Sequence, residues 1–217
     1  MKKKKLSEQK FRKEIIYTNQ VCVDSGLIRS SDGNISIRLD DDRFLVTPAG
    51  LYKRRLKSKQ LLIVDHQGKI IKEKGDLKPS SELLLHLEAY RQREDIGAVL
   101  HAHPPYSTAL TIAGIPFPTN IVPEIPFLLG EVATAPYATP GSQELALSIS
   151  DLIKNHDSIL LTNHGSLTVG KTLEGALLAL ERMELAAQMY YLASNLGKVN
   201  PLPEAEVKHL KAIGEQV

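Results

Sequence analysis

"GAVLHAHPPYSTAL", residues 97–110, is the stretch on which the fold turns. An apolar run, Ala98-Val99-Leu100, leads into two histidines one residue apart, and Pro104 and Pro105 follow at once. An apolar run this short, bounded by Gly97 and a proline pair, reads as a buried strand. The prolines then open a short helix over "PYSTALTIAG". Residues i and i+2 of a strand point to the same face, so His101 and His103 project side by side, close enough to hold one cation. The bland alternative is a coincidence of composition.

Working outward, the pattern is mixed. "PSSELLLHLEAYRQRED" reads as a helix with Leu83, Leu84, Leu87 and Tyr90 on one face. Before it, "NISIRLDDDRFLVTP" alternates around an acidic turn at Asp40 to Asp42, which predicts a hairpin. "QLLIVDHQGKII" predicts a second, turned at Gln67-Gly68, with "AGLYKRRLKS" as the connecting loop. A first helix runs from a cap at Ser7 through Phe11, Ile15, Ile16 and Val21 to Gly26. Downstream, "EVATAPYATPGS" is a strand and turn, "QELALSISDLIKNH" a helix and "SILLTNHG" a strand. A long helix ends at Gly197, and "PEAEVKHLKAIGEQV" is a last, more polar one. No period repeats. The expectation is one α/β domain over 7–197, built on a mixed sheet with helices on both faces. A basic disordered tail over 1–6 precedes it, and the polar helix of 198–217 is part of that domain or appended to it.

The bulk numbers narrow the function. The 217 residues, 42% hydrophobic and 24% charged, suffice for one core without disulfides or metal. A metal here would therefore serve function rather than folding. The net charge of +2 comes from Lys2, Lys3, Lys4 and Lys5, and the remaining body is faintly acidic. With 5% aromatics and no Trp, a nucleic-acid partner is disfavoured. The lone Cys22 excludes an internal disulfide, fits a reducing compartment and reads as a buried thiol. The lysine run lacks a following apolar region, and no apolar stretch reaches the roughly 18 residues of a membrane span. The expectation is a cytoplasmic protein with no membrane partner.

Seven histidines are present, and His164 joins the pair. It ends the apolar strand "SILLTNH" just before Gly165, which leaves room beside it. Three imidazoles at two strand ends make an open zinc-type site with a position free for substrate. His86 reads as a core or helix-face residue, and His66, His156 and His209 as exposed. Glu82, in the first turn of its helix, is either a capping residue or a catalytic carboxylate, and only proximity to the histidines decides. Two segments suit an anion. Gly33 and Asn34 form a turn before a strand, and Ser80 and Ser81 stand at a helix start, where free N–H groups favour phosphate. Each also fits an ordinary turn or cap.

In order, "SDGNIS", "VTPAG", "KPSSE", "HAHPPYSTAL", "APYATPGS" and "TNHG" resemble the class II aldolase/adducin family, nearest its L-fuculose-phosphate aldolase branch. The resemblance spans roughly residues 10 to 196, and the ordered set of PSSE, HxH and HG carries it. It implies a mostly antiparallel central sheet layered by helices, and homotetramers with active sites at subunit interfaces. It implies that His101, His103 and His164 bind one Zn2+ per subunit, although three imidazoles also accept other divalent transition metals. Glu82 then contacts the metal at rest and moves aside as acid/base. Gly33, Asn34, Gly50, Ser80 and Ser81 cradle the substrate phosphate. The implied reaction is cleavage of a ketose 1-phosphate, such as L-fuculose 1-phosphate, to dihydroxyacetone phosphate and a short aldehyde through an enediolate.

Two departures from the branch's pattern bear on the sugar. Ala49 precedes Gly50 where Thr is usual, and Phe127 stands where a Tyr assists at the aldehyde oxygen, with Tyr137 and Tyr106 as candidate substitutes. Other readings stay open on the same scaffold: a 5-deoxy- or methylthio-pentulose-phosphate aldolase, a tetronate-phosphate decarboxylase or a pentulose-phosphate epimerase. The epimerases carry His-Ala-Asp-Tyr-Phe where this chain reads "VPEIPFLLGE". A non-enzymatic adducin-like interaction domain would lose the metal histidines, and all three are present.

Overall fold

The structure is a computed structural model that describes residues 2–71 and 75–214. Its strands, in chain order, are β1 (Asn34–Arg38), β2 (Phe44–Val46), β3 (Leu62–Val64), β4 (Ala98–Ala102), β5 (Val132–Ala135), β6 (Ser158–Leu161) and β7 (Gly165–Gly170). They form one sheet in the order β3-β2-β1-β4-β7-β6-β5. Every pairing is antiparallel except β5 with β6. The helices are α1 (Lys2–Asp24), α2 (Leu83–Gln92), α3 (Pro105–Ile112), α4 (Gln143–Ser148), α5 (Leu173–Leu196) and α6 (Glu204–Gly214).

The strand that opens the reading, β4, is the middle of the sheet, between β1 and β7. Its five residues are all buried, because helices cover both faces. Alternation sorts them. Ala98, Leu100 and Ala102 join a core with Ile15 and Cys22 of α1 and Leu177 and Leu180 of α5. Val99 joins the other, with Leu85 and Ala89 of α2 and Leu145 of α4. His101 shares Val99's face, which aims it at the α2 layer. Cys22 has no exposed surface, and burial pushes its thiol up to about 12, with Glu181 adding to the effect. It is a packing residue, as expected.

Several elements differ from the sequence reading. α1 is drawn from Lys2, where a disordered tail over 1–6 and a cap at Ser7 were expected. On α2, Leu85 rather than Leu84 faces the core, and Leu84 is 39% exposed. The second hairpin shrinks to β3 plus one bridge, Val64 to Ile70, although Gly68 makes the turn at φ +81°. α4 stops at Ser148, and residues 149–155 are successive turns. β7 has no counterpart in the reading, because "GSLTVG" alternates polar and apolar too briefly to stand out. In the fold it fills the gap between β4 and β6. α6 lies against the single π-helical turn Ile125–Leu129, where a side chain at Gly214 would collide with the Phe127 carbonyl.

Candidate active site

Three chain ends converge at one rim of the sheet. β4 delivers His101 from its last turn of pleat and His103 from one residue beyond its end. The His103 N–H donates to Leu27 O at 3.1 Å, which holds the exiting chain against the loop after α1. Pro105 then starts α3, whose free N–H groups meet Glu184 of α5. That carboxylate accepts from Tyr106 N, Ser107 N and Ser107 Oγ at 2.8, 2.8 and 2.7 Å.

His164 sits in the tight turn between β6 and β7, not at the end of a longer strand as its sequence suggested. Asn163, at φ +56°, turns the chain, and its N–H donates to Thr111 Oγ1 of α3. The turn needs glycine next. A Cβ on Gly165 would lie 2.4 Å from the Ala102 carbonyl and 2.8 Å from the His103 ring. The space expected beside His164 is therefore real, and the His103 imidazole fills it.

Glu82 arrives from the opposite layer. It is the N-cap residue of α2, one position before the expected first turn. Ser80 and Ser81 precede the helix as a turn and do not open it. Ser80 Oγ accepts from Glu82 N at 3.3 Å. Glu82 Oε2 lies 2.8 Å from His101 Nε2, and Oε1 lies 3.1 Å from His164 Nε2. Asn34, directly across from His101 in the β1–β4 register, donates from Nδ2 to Glu82 Oε2 at 3.3 Å. His101 and His103 Nε2 atoms are 3.0 Å apart. One donor atom each from Glu82, His101, His103 and His164 falls within 4.8 Å of the others.

The surroundings dictate the protonation chemistry. His101 Nδ1 donates to Ser166 O at 2.8 Å, which leaves the Nε2 lone pair facing the cluster. A bare lone pair that close to a carboxylate oxygen and another imidazole is repulsive unless a positive charge sits between them. Ligands on one tetrahedral zinc stand roughly 3.3 Å apart, so these spacings suit one ion with little movement. His103 is pushed down to about 4, first by burial and then by His101 and His164, so its imidazole is neutral and able to ligate. Burial alone would raise the Glu82 carboxyl. Positive charge facing it from the side of His101 and His164 outweighs that and holds it well below the usual carboxylate range.

A cleft of about 310 Å3 opens in front of this cluster. Of the nine residues singled out from sequence, Gly33, Asn34, Gly50, Ser80, Ser81, Glu82, His103 and His164 line it. The ninth, His101, lies fully buried behind. Gly33 and Gly50 both have positive φ, and a Cβ at Gly33 would strike Ile28. His86 is core, as expected: it is buried, with Nδ1 2.7 Å from Ser36 Oγ. His66 and His209 are exposed, whereas His156 is half-buried, against Leu152 O. Phe127, Tyr137 and Tyr106 do not line the cleft. Phe127 is in the π-helical turn, Tyr137 is exposed, and Tyr106 packs on Tyr191. One lining residue was missed. Lys53, inside a stretch read as a plain loop, is only 3% exposed and reaches the cleft.

Comparison with known proteins gives this arrangement a family. The Class II Aldolase and Adducin N-terminal domain profile matches residues 13–191. A 5-deoxy-D-ribulose 1-phosphate aldolase of Bacillus thuringiensis serovar kurstaki is 34% identical over 93% of this chain and 94% of its own. A 3-oxo-tetronate 4-phosphate decarboxylase of Haemophilus influenzae is 34% identical over 84% and 87%. A solved L-fuculose 1-phosphate aldolase superimposes with a TM-score of 0.83 at 31% identity, over 93% of this chain and 94% of that one. With the profile covering most of the fold and the histidine–glutamate cluster within it, the chain belongs to the class II aldolase and adducin family.

Proposed function

We propose that the protein is a zinc-dependent aldolase that cleaves a ketose 1-phosphate of the L-fuculose 1-phosphate type into dihydroxyacetone phosphate and a short aldehyde. The observation that carries this reading is Glu82, held against His101 and His164 at the floor of a cleft with Gly33, Gly50, Ser80 and Ser81 in its walls. His101, His103 and His164 would hold the ion, and its chemistry is that of a Lewis acid polarising the substrate's carbonyl and neighbouring hydroxyl. The rest falls to the chain. Gly33, Asn34, Gly50, Ser80 and Ser81 bind the phosphate end and so orient the C3–C4 bond. As that bond breaks, the C4 hydroxyl passes its proton to solvent water and the aldehyde leaves. Glu82, once off the histidines, takes up a proton from solvent and delivers it to C3, which completes dihydroxyacetone phosphate. In the synthetic direction the same carboxylate removes it.

A second sugar class is favoured by one relative: the aldolase from Bacillus thuringiensis, matched over 93% of this chain, is named for a 5-deoxy sugar. A 5-deoxy-pentulose phosphate, or a tetronate-phosphate decarboxylation on the same cluster, is therefore the alternative. We also propose a cytoplasmic homotetramer. Leu185, Met189, Tyr191, Leu192 and Leu196 of α5 are all at least 40% exposed, a surface that association would cover. Among the described residues, no helix is long and apolar enough to cross a membrane.

Glu82→Gln tests the assignment. It should keep its metal content and lose about 2 to 4 orders of magnitude in kcat, the scale of a lost general acid/base. Full turnover with this variant would refute the role.

A further inference from the structure

We infer that Lys53 is the cationic anchor for the substrate's phosphate group, and the residue that makes the cleft select phosphorylated over unphosphorylated substrates. The inference rests on reading the cleft as a sugar-phosphate site.

Lys53 is placed by its backbone. Its N–H donates to Ser30 O at 2.9 Å, and its carbonyl accepts from Asn19 Nδ2 at 2.8 Å, within the buried base of α1. It begins the 3-10 turn Lys53–Arg55, close after Gly50, so one loop brings both residues to the cleft. Its neighbours Arg54 and Arg55 are exposed, and Arg54 pairs with Asp24 on the surface. Lys53 alone turns inward.

Among the described residues its ammonium makes no ion pair and no hydrogen bond. Burial lowers it to about 8, with the Asp32 charge pulling the other way from beyond ion-pair distance. An unpaired ammonium in such a place is costly unless an anion joins it. The cleft supplies no such partner, and it needs a positive charge. Of the residues lining it, Lys53 is the only lysine or arginine, while Asp32 and Glu82 are carboxylates. Gly50, Ser80 and Ser81 can donate hydrogen bonds to a phosphate but bring no net charge. The ion that the histidines would hold offsets Glu82, but a dianion entering beside Asp32 is still repelled unless a further cation offsets it. Lys53 does so from the wall that already carries Gly50. The competing role is proton transfer at the reacting carbons, and the two predict different kinetics.

The test uses Lys53→Met, which keeps the length and removes the charge, with Lys53→Gln as a second neutral variant. Inorganic phosphate is titrated calorimetrically into the zinc-loaded and metal-free proteins. Both variants should bind it about 30-fold or more weakly than the unmutated protein, as expected when a buried charge pair loses one member. With a ketose 1-phosphate, KM should rise by a similar factor while kcat changes less than about threefold, and kcat/KM for the unphosphorylated ketose should fall far less. In the unmutated protein, phosphate should slow acetylation of Lys53, read by peptide mass spectrometry, and leave that of the exposed Lys57 unchanged. Unaltered phosphate affinity, unaltered labelling, or a kcat loss shared by phosphorylated and unphosphorylated substrates would overturn the inference. If the unmutated protein cleaves no ketose phosphate yet binds phosphate through Lys53, the aldolase reading fails and this one stands.

Discussion

Two lysines four residues apart mark what a residue's identity can and cannot say. Lys53 and Lys57 share one loop in sequence, yet the first is buried and the second exposed. Nothing in "LYKRRLKS" separates them, because the difference is made by Asn19 and Ser30, which reach Lys53 from distant positions. The histidines were legible for the opposite reason. Strand geometry alone sets His101 and His103 on one face, and the Nε2 atoms do meet at 3.0 Å. Glu82 lay between: its type was suggestive, but its approach to His101 depends on α2 crossing the sheet. Burial of Lys53 also has a consequence for stability. The folded value is about 8 against the ordinary 10.5, so between these pH values the unfolded chain binds more protons. Lys53 thus costs stability in full below pH 8, and that cost falls away as pH rises toward 10.5. Lys53→Met should therefore be more stable than the unmutated protein by about 2 kcal/mol at neutral pH, with the advantage shrinking toward pH 10. Denaturant melts at several pH values check this. A variant that is less stable by a constant amount would show that the ammonium has a native partner.

At the scale of elements, short strands and turns were the weak point. The sequence reading merged β6 with the turn that carries His164 and passed over β7, since "SILLTNHGSLTVG" is apolar at both ends and marks its turn only by Asn163 and Gly165. The contacts that make it a hairpin lie between strands, and β7 is specified as much by β4 as by its own residues. The α3 start was clearer, because a proline pair marks it, but its cap comes from Glu184, 77 residues away from Ser107. Glu184→Ala would leave the N–H groups of Tyr106 and Ser107 and the buried Ser107 hydroxyl without an acceptor. We expect a loss of about 2 to 3 kcal/mol in unfolding free energy. Weaker zinc binding should accompany it, because the same turn carries the chain away from His103. Chemical denaturation and a metal-competition titration read the two effects. Unchanged values in both would show that α3 is held by its apolar contacts alone.

For the whole molecule, the layered α/β plan was readable because each long helix and each alternating strand must bury a face, and few arrangements do so. The family resemblance supplied the mostly antiparallel order, which the sheet bears out. The glycine and serine wall, the histidine cluster and Glu82 lie in one chain, whereas Phe127, Tyr106 and Tyr137 do not line the cleft. The central claim, metal-dependent cleavage of a sugar phosphate, is tested most directly by dihydroxyacetone phosphate release. A panel of ketose 1-phosphates, including L-fuculose 1-phosphate and 5-deoxy-pentulose phosphates, is assayed before chelation, after it, and after zinc is restored. We predict release from at least one member, its loss on chelation and its return with zinc. Release that persists undiminished in the metal-free protein, or no release from any member by the zinc-loaded protein, would contradict the account.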